Sequence, residues 1–183
     1  MISAATFRLW VSRFEGTIPH LYLDTLGLVT TAVGCLVDPV ELALGLPFAR
    51  PDGDPARADE IRADWQRVKA MAPGLFAPRY ATADALTLTA DGIAAVVAMR
   101  HDANVRALLR IFPDLDSYPE PAQLAMLGMA WAMGVGFPAR FPRFSRAVRM
   151  RDWATAAEEC RIRNANADRN DAHRDLLLTA VDA

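Results

Sequence analysis

The sequence predicts an α+β fold that is mostly helical, with one small β-hairpin lobe near the N-terminus. Most of the chain places apolar residues at helical spacing, whereas residues 21–34 are rich in β-branched residues around a glycine, which is typical of a hairpin. The 183 residues are 52% hydrophobic and 23% charged, enough to bury a substantial core. We expect a single domain over residues 1–183, with a hairpin lobe at about 15–88 and a helical lobe at about 89–183 that also includes the first helix.

The other elements follow from apolar spacing and from capping residues. An apolar stripe from Phe7 to Phe14 predicts a first helix, which Gly16 ends. Asp38 is followed by a proline, the order typical of a helix N-cap, so a short helix should run from there to Leu44. Longer helices are expected at 56–71, at 89–109 with Thr89 as the cap, and at 122–134, 152–163 and 168–180. A methionine stripe in the 122–134 helix indicates core packing rather than a cofactor site.

Composition excludes several classes of protein. No run approaches the roughly 20 apolar residues that span a bilayer, and the N-terminus lacks a basic region followed by an apolar core, so we expect neither stable membrane insertion nor a signal peptide. Cys35 and Cys160 are too few for a disulfide framework or a four-thiolate metal site, although they could pair with each other. The histidines show no metal-ligand spacing. We therefore predict no metal site. We also expect no cofactor and a monomeric protein.

The charge of the chain is unevenly distributed. A net charge of −2 and a pI near 5.9 provide no global positive field, so nucleic acid is not an expected partner. Residues 137–163, however, hold seven arginines and only three acids. This segment could bind an anionic polymer, but a solvated helical face is the commoner meaning of such a run.

Three polar residues near the hairpin have types and spacing suited to glycoside hydrolysis. Glu15 is expected at the end of the first helix, and Asp24 and Thr30 follow it at intervals of nine and six residues. A helix end followed by a hairpin can bring two carboxyl groups to opposite sides of a groove, where one protonates the leaving oxygen and the other stays ionised. A hydroxyl such as that of Thr30 can position water. On spacing alone, such pairs are more often solvated surface charges.

The residues around this trio form a longer pattern. The chain reads Arg13-Phe14-Glu15-Gly16, then Tyr22-Leu23-Asp24, then Gly27, Thr30 and Val33-Gly34. This resembles the phage-type lysozymes of glycoside hydrolase family 24, whose pattern is Glu-Gly, Tyr-x-Asp-x-x-Gly-x-x-Thr, and Gly-x-Gly at the end of the hairpin. Segments 123–134 and 152–157 also look like the family, so the resemblance touches both lobes and is weakest over residues 40–88.

The resemblance implies a lysozyme-like fold with a cleft between the lobes. It also implies a muramidase that hydrolyses, with inversion, the β-1,4 bond between N-acetylmuramic acid and N-acetylglucosamine in bacterial peptidoglycan. Glu15 would be the general acid, Asp24 the second carboxylate and Thr30 the water-positioning hydroxyl. The residues expected to contact the sugar chain are Gly34, Leu36 and Trp131. Core packing explains Trp131 at least as well.

The chain departs from the family pattern at the hairpin end and at Ala132, and it is mildly acidic whereas many wall hydrolases are basic. Ala32 and Cys35 stand where the family commonly has glycine and histidine, and Ala132 stands where it has an amide side chain. The altered hairpin end motivates a runner-up, a catalytically weakened lysozyme-fold module that binds peptidoglycan. A third class is a helical structural or interaction protein in which Glu15 and Asp24 are surface charges.

The expected substrate lies outside the inner membrane, whereas no signal peptide is visible. We expect the protein to be made in the cytoplasm and to act on the cell wall, in the periplasm or outside the cell. Release through a holin, as for a phage endolysin, or delivery by a type VI secretion system would each bring it there. A secreted antibacterial effector would be accompanied by an immunity protein that blocks the cleft.

Overall fold

The computed structural model describes residues 1–163 and 165–183, and its architecture is α+β. The chain divides into two compact units. The sheet unit comprises residues 15–100, and the helical unit comprises residues 1–14 together with residues 101–183. The prediction of a mostly helical α+β fold with a small β component is therefore confirmed.

The sheet unit contains a five-stranded antiparallel sheet with the strand order β3-β2-β1-β5-β4. The strands are β1 (Ile18–Leu23), β2 (Val29–Ala32), β3 (Cys35–Leu36), β4 (Phe48–Ala49) and β5 (Thr87–Leu88). Within β1, Leu21 and Leu23 are buried and Tyr22 between them is half-buried. Because side chains alternate along a strand, β1 turns its leucines to the core and Tyr22 to the other face.

Three helices belong wholly or partly to this unit: α2 (Glu41–Leu44), α3 (Ala58–Lys69) and α4 (Ala90–Ile111). Thr89 caps α4 as predicted, because its Oγ1 accepts a hydrogen bond from the Gly92 amide at 3.0 Å. The prediction that Asp38 caps α2 is wrong. This helix begins at Glu41 without a side-chain cap, and the Asp38 carboxylate instead accepts the Val29 amide and pairs with Lys69.

The helical unit contains α1 (Ala4–Val11), α5 (Glu120–Met133), α6 (Phe137–Arg140), α7 (Pro142–Arg149), α8 (Trp153–Glu159) and α9 (Ala167–Thr179). Helix α8 ends four residues earlier than the sequence predicted. Met126 and Met129 of α5 are fully buried and Met133 is half-buried, so core packing is confirmed for the first two residues of the methionine stripe. Among the described residues, no helix is both long enough and apolar enough to cross a bilayer.

Close packing in the helical unit depends on a glycine in α5. A Cβ on Gly128 would lie 2.5 Å from Cη2 of Trp10 in α1 and 2.6 Å from Nε2 of His173 in α9. Both of these side chains are buried. The missing side chain at Gly128 therefore lets two rings pack directly onto the backbone of α5.

Candidate active site

Glu15 lies beyond the first helix, against the turn that joins β2 to β3. Helix α1 ends at Val11, so the expectation that Glu15 ends this helix is wrong by four residues. Gly34 has a φ of +67°, and a Cβ at this position would lie 3.4 Å from Cδ and Oε2 of Glu15. Glycine suits this position for two reasons: the backbone has a left-handed conformation, and the Glu15 carboxyl group packs directly over it.

Asp24 organises the turn between β1 and β2. Its Oδ1 accepts hydrogen bonds from the amides of Leu26 at 2.8 Å and Leu28 at 2.9 Å. Its own amide donates to the Leu28 carbonyl at 3.0 Å, and its carbonyl accepts from Gly27 at 3.1 Å. Aspartate side chains commonly stabilise turns in this way. The turn holds one carboxylate oxygen, and the Asp24 side chain is only partly exposed.

Tyr22, Thr30 and Leu36 form one row across three strands. Tyr22 of β1 pairs with Thr30 of β2, which in turn pairs with Leu36 of β3. Directly paired residues in antiparallel strands point to the same face of the sheet. Thr30 is 5% exposed, and its hydroxyl donates to the Leu28 carbonyl at 3.1 Å, whereas Leu36 is 39% exposed. The Thr30 oxygen keeps its acceptor capacity for a further donor such as water.

Tyr22 connects the two carboxylates electrostatically. Burial raises the pKa of Tyr22, and the charges of Glu15, Cys35 and Asp24 act in the same direction, so that this pKa lies at about 12. Both carboxylates therefore lie near enough to act on this phenol, which stays neutral and able to donate a hydrogen bond at physiological pH. Tyr22 was not among the predicted site residues, although the Tyr-x-Asp pattern contained it.

Cys35 is a buried member of the same group of side chains. It is 2% exposed, and burial raises the pKa of its thiol to about 11, an effect that nearby Arg100 partly opposes and Glu15 reinforces. A neutral, inaccessible thiol is a poor nucleophile. Cys35 and Cys160 are both buried free cysteines, so they do not form the disulfide that the sequence left open.

The backbone at Ala32 keeps a conformation that favours glycine. Its φ is +55°, in the left-handed region, which costs a residue with a Cβ about 1–2 kcal/mol. The resemblance places a glycine at this position. The hairpin end therefore adopts the left-handed backbone in spite of the alanine.

Trp131 belongs to a different unit from the other site candidates. It lies in α5 of the helical unit, is 4% exposed, and packs on Phe7 with ring centroids 5.1 Å apart. This contact agrees with the core-packing interpretation. A sugar contact of Trp131 stays a prediction.

The histidines have structural surroundings. His20 contacts the Ala77 carbonyl through Nε2 at 2.9 Å, and His101 contacts Asp102 through Nδ1 at 3.0 Å. His173 is fully buried, and burial lowers its pKa to about 3, so its imidazole is neutral at physiological pH. Among residues 1–163 and 165–183, no group of three or more His, Cys, Asp or Glu side chains could hold a metal ion.

Several arginines of the basic segment bind neighbouring groups of their own unit. Arg140 donates to the Met133 carbonyl, Arg149 donates to the Ser145 carbonyl and stacks on a phenylalanine ring, and Arg151 donates to a serine hydroxyl. Arg143 pairs with Glu159 at 3.3 Å. These contacts favour a local structural role for this part of the segment.

A separate cavity of about 590 Å³ in the sheet unit does not include the candidate carboxylates. Charged groups of its walls pair with one another, Arg67 with Asp64 at 2.7 Å and Arg50 with Glu60 at 3.7 Å. Asp64 also accepts a backbone amide. Most of the charged groups that line the cavity therefore already form ion pairs.

Comparison with known proteins adds no family assignment. No protein-family model matches the chain. No curated protein sequence matches it either. The function therefore has to be argued from the geometry of the site and from the sequence pattern.

Proposed function

We propose that this protein is a muramidase with a lysozyme-like fold. In this proposal it hydrolyses the β-1,4 bond between N-acetylmuramic acid and N-acetylglucosamine in bacterial peptidoglycan, without a metal or an organic cofactor. The sequence pattern from Glu15 to Gly34 motivates the proposal, and the geometry of the sheet unit is compatible with it.

The main support for the proposal is that two carboxylates lie close to the same tyrosine. Glu15 and Asp24 lie nine residues apart on different segments, and both act electrostatically on the Tyr22 phenol. Two carboxyl groups near one polar, partly exposed strand face are what general acid and general base chemistry on a sugar requires. The charges of both carboxylates reach the half-buried Tyr22, which pairs with Thr30 on the neighbouring strand.

The roles follow from the two environments. Glu15, packed over the Gly34 backbone, donates its proton to the glycosidic oxygen as the bond to the muramic acid carbon breaks. Asp24, anchored by two amides through one oxygen, accepts a proton from the water that attacks this carbon from the opposite side. The hydroxyl of Thr30 helps to hold this water, and Leu36, exposed beside it, contacts the sugar. The product has an inverted configuration at the muramic acid carbon.

The first test compares Glu15→Gln with the wild-type protein on purified sacculi. We expect the wild type to lower turbidity and to release muropeptides with muramic acid reducing ends, and Glu15→Gln and Asp24→Asn to lose at least about 100-fold in rate. Glu41→Gln and Asp91→Asn make the same chemical changes at exposed positions of the sheet unit, and they should retain activity.

A pull-down on intact sacculi separates the other functions. The runner-up, a binding module with weakened turnover, is favoured by the strained backbone at Ala32. It predicts that wild type and Glu15→Gln bind sacculi equally and that neither releases muropeptides. A structural or interaction protein would neither bind nor lyse them. Either result would refute the muramidase proposal.

The substrate also defines the partners we propose. Peptidoglycan is the expected partner in every version of the proposal. A protein delivered as an antibacterial effector would have an immunity protein as a second partner, and a phage endolysin would not. Co-expression with neighbouring genes of the producer, followed by the sacculus assay, tests for such an inhibitor.

A further inference from the structure

Lys69 is the only lysine of the chain, beside 19 arginines, and it lies at the last position of α3. Its ammonium group donates to the Gly27 carbonyl at 2.8 Å and forms an ion pair with Asp38. It also lies 5.8 Å from the ring centroid of Trp65, one helical turn earlier. One cation therefore contacts an acid, a backbone carbonyl and an aromatic face.

The partner of Lys69 extends this contact to the second strand. The Asp38 carboxylate accepts the Val29 amide at 3.2 Å, and hydrogen bonding to Lys69 is the main reason that its pKa lies below the usual range. Beside it, Nε1 of Trp65 donates to the Val37 carbonyl at 2.9 Å. The end of α3 is thus tied to the sheet at Gly27, Val29 and Val37.

Residues 27–29, which these contacts hold, lie between Asp24 and Thr30 of the candidate site. Gly27 and Val29 flank Leu28, whose amide donates to Asp24 and whose carbonyl accepts from the Thr30 hydroxyl. A shift of Leu28 would move the hydrogen-bond partners of both side chains at once. Lys69 and Asp38 hold the residues on either side of it.

We propose that Lys69 is a positioning residue for Asp24 and Thr30, which it orients through the backbone of residues 27–29. This inference rests on the proposed function and names a residue that controls the same site from outside it. The compact ammonium group fits this place, because it carries three donors on one atom and can serve acceptors that converge from different directions. A guanidinium carries the same charge but holds its donors in one rigid plane.

The test uses Lys69→Met, which keeps an unbranched chain and removes the charge, and Lys69→Arg, which keeps the charge. Arg62→Met on the exposed side of α3 is the matched control. On sacculi we expect Lys69→Met to lower kcat by about 10- to 100-fold with KM nearly unchanged, because misplacement of reacting groups acts on the chemical step. Lys69→Arg should recover part of this loss, and Arg62→Met should behave like the wild type.

Chemical modification provides a second arm on protein that is already folded. Acetylation of the wild type removes the charge of Lys69, whereas reductive methylation retains the charge and one N–H donor, so acetylation should lower lysis more than methylation does. The same treatment of Lys69→Arg modifies the N-terminal amine alone and should change nothing. Equal inhibition by both reagents would overturn the proposal.

Amide hydrogen exchange separates this inference from the proposed function. Removal of the charge should speed exchange at Leu26, Leu28 and Val29, and leave the strands away from this turn unchanged. Unchanged exchange at these amides overturns the positioning role, and so does faster exchange with full lysis. If the wild type itself releases no muropeptides, the proposed function fails, and the exchange data still decide whether Lys69 holds the Asp24 turn.

Discussion

Gly128→Ala should destabilise the helical unit although alanine is the better helix former. The added Cβ would lie 2.5–2.6 Å from two atoms of the Trp10 ring and from His173 Nε2. Carbon atoms in ordinary contact are about 3.5–4.0 Å apart, so roughly 1 Å of overlap has to be relieved. Overpacking of a core costs about 1–3 kcal/mol, and two rigid rings favour the upper part of this range. Because helix propensity returns about 1 kcal/mol, we expect a net loss of about 1–2 kcal/mol.

The assay is urea unfolding followed by far-UV circular dichroism, with thermal unfolding in parallel. A loss of this size should lower Tm by about 2–8 °C. Gly136→Ala is the matched control, because Gly136 has a negative φ and a Cβ there meets nothing within 4 Å. This control should change the free energy of unfolding by less than about 1 kcal/mol.

A double-mutant cycle tests the proposed cause. Trp10→Phe removes the ring atoms nearest to the new Cβ, so Gly128→Ala should cost less in that background, by about 1 kcal/mol or more. If Gly128→Ala stabilises the protein, or if the two changes are additive, the close packing of α1 on α5 is not what glycine provides at this position.

Three further predictions concern the site, pH and the cysteines. Gly34→Ala should lower lysis more than Gly53→Ala, since both positions have positive φ but only Gly34 lies against the Glu15 carboxyl group; equal losses would contradict this. His173 has a pKa near 6.5 in the unfolded chain, whereas burial lowers the pKa of the folded protein's His173 to about 3. The free energy of unfolding should therefore fall as the pH drops from about 6.5 towards 3, by up to about 1.4 kcal/mol per pH unit. His173→Leu should flatten this slope in urea titrations, and an unchanged slope would exclude His173 as its source. A thiol reagent should label neither cysteine in the native protein and both in denaturant, because each is buried with a pKa raised to about 11; rapid native labelling would refute this.

Local chemistry predicted much of the fold. The β-branched run with its glycine became the antiparallel pair β1 and β2, and Thr89 caps α4 because a side chain needs only the amide three residues later. The fully buried Met126 and Met129 follow from helical spacing alone. These features depend on residues within a turn or two of each other, and a sequence displays such neighbours directly.

The order of residues alone places Glu15, Asp24 and Thr30 at a spacing that glycoside hydrolysis can use, and it predicts that a hairpin carries two of them. The surroundings of these three residues depend on contacts between distant parts of the chain, which the order of residues does not display. Asp38 does not cap a helix because Lys69, 31 residues away, and the Val29 amide bind its carboxylate. A capping pattern involves only adjacent residues. An ion pair forms wherever the folded chain brings opposite charges together, and their positions depend on how all the intervening segments pack.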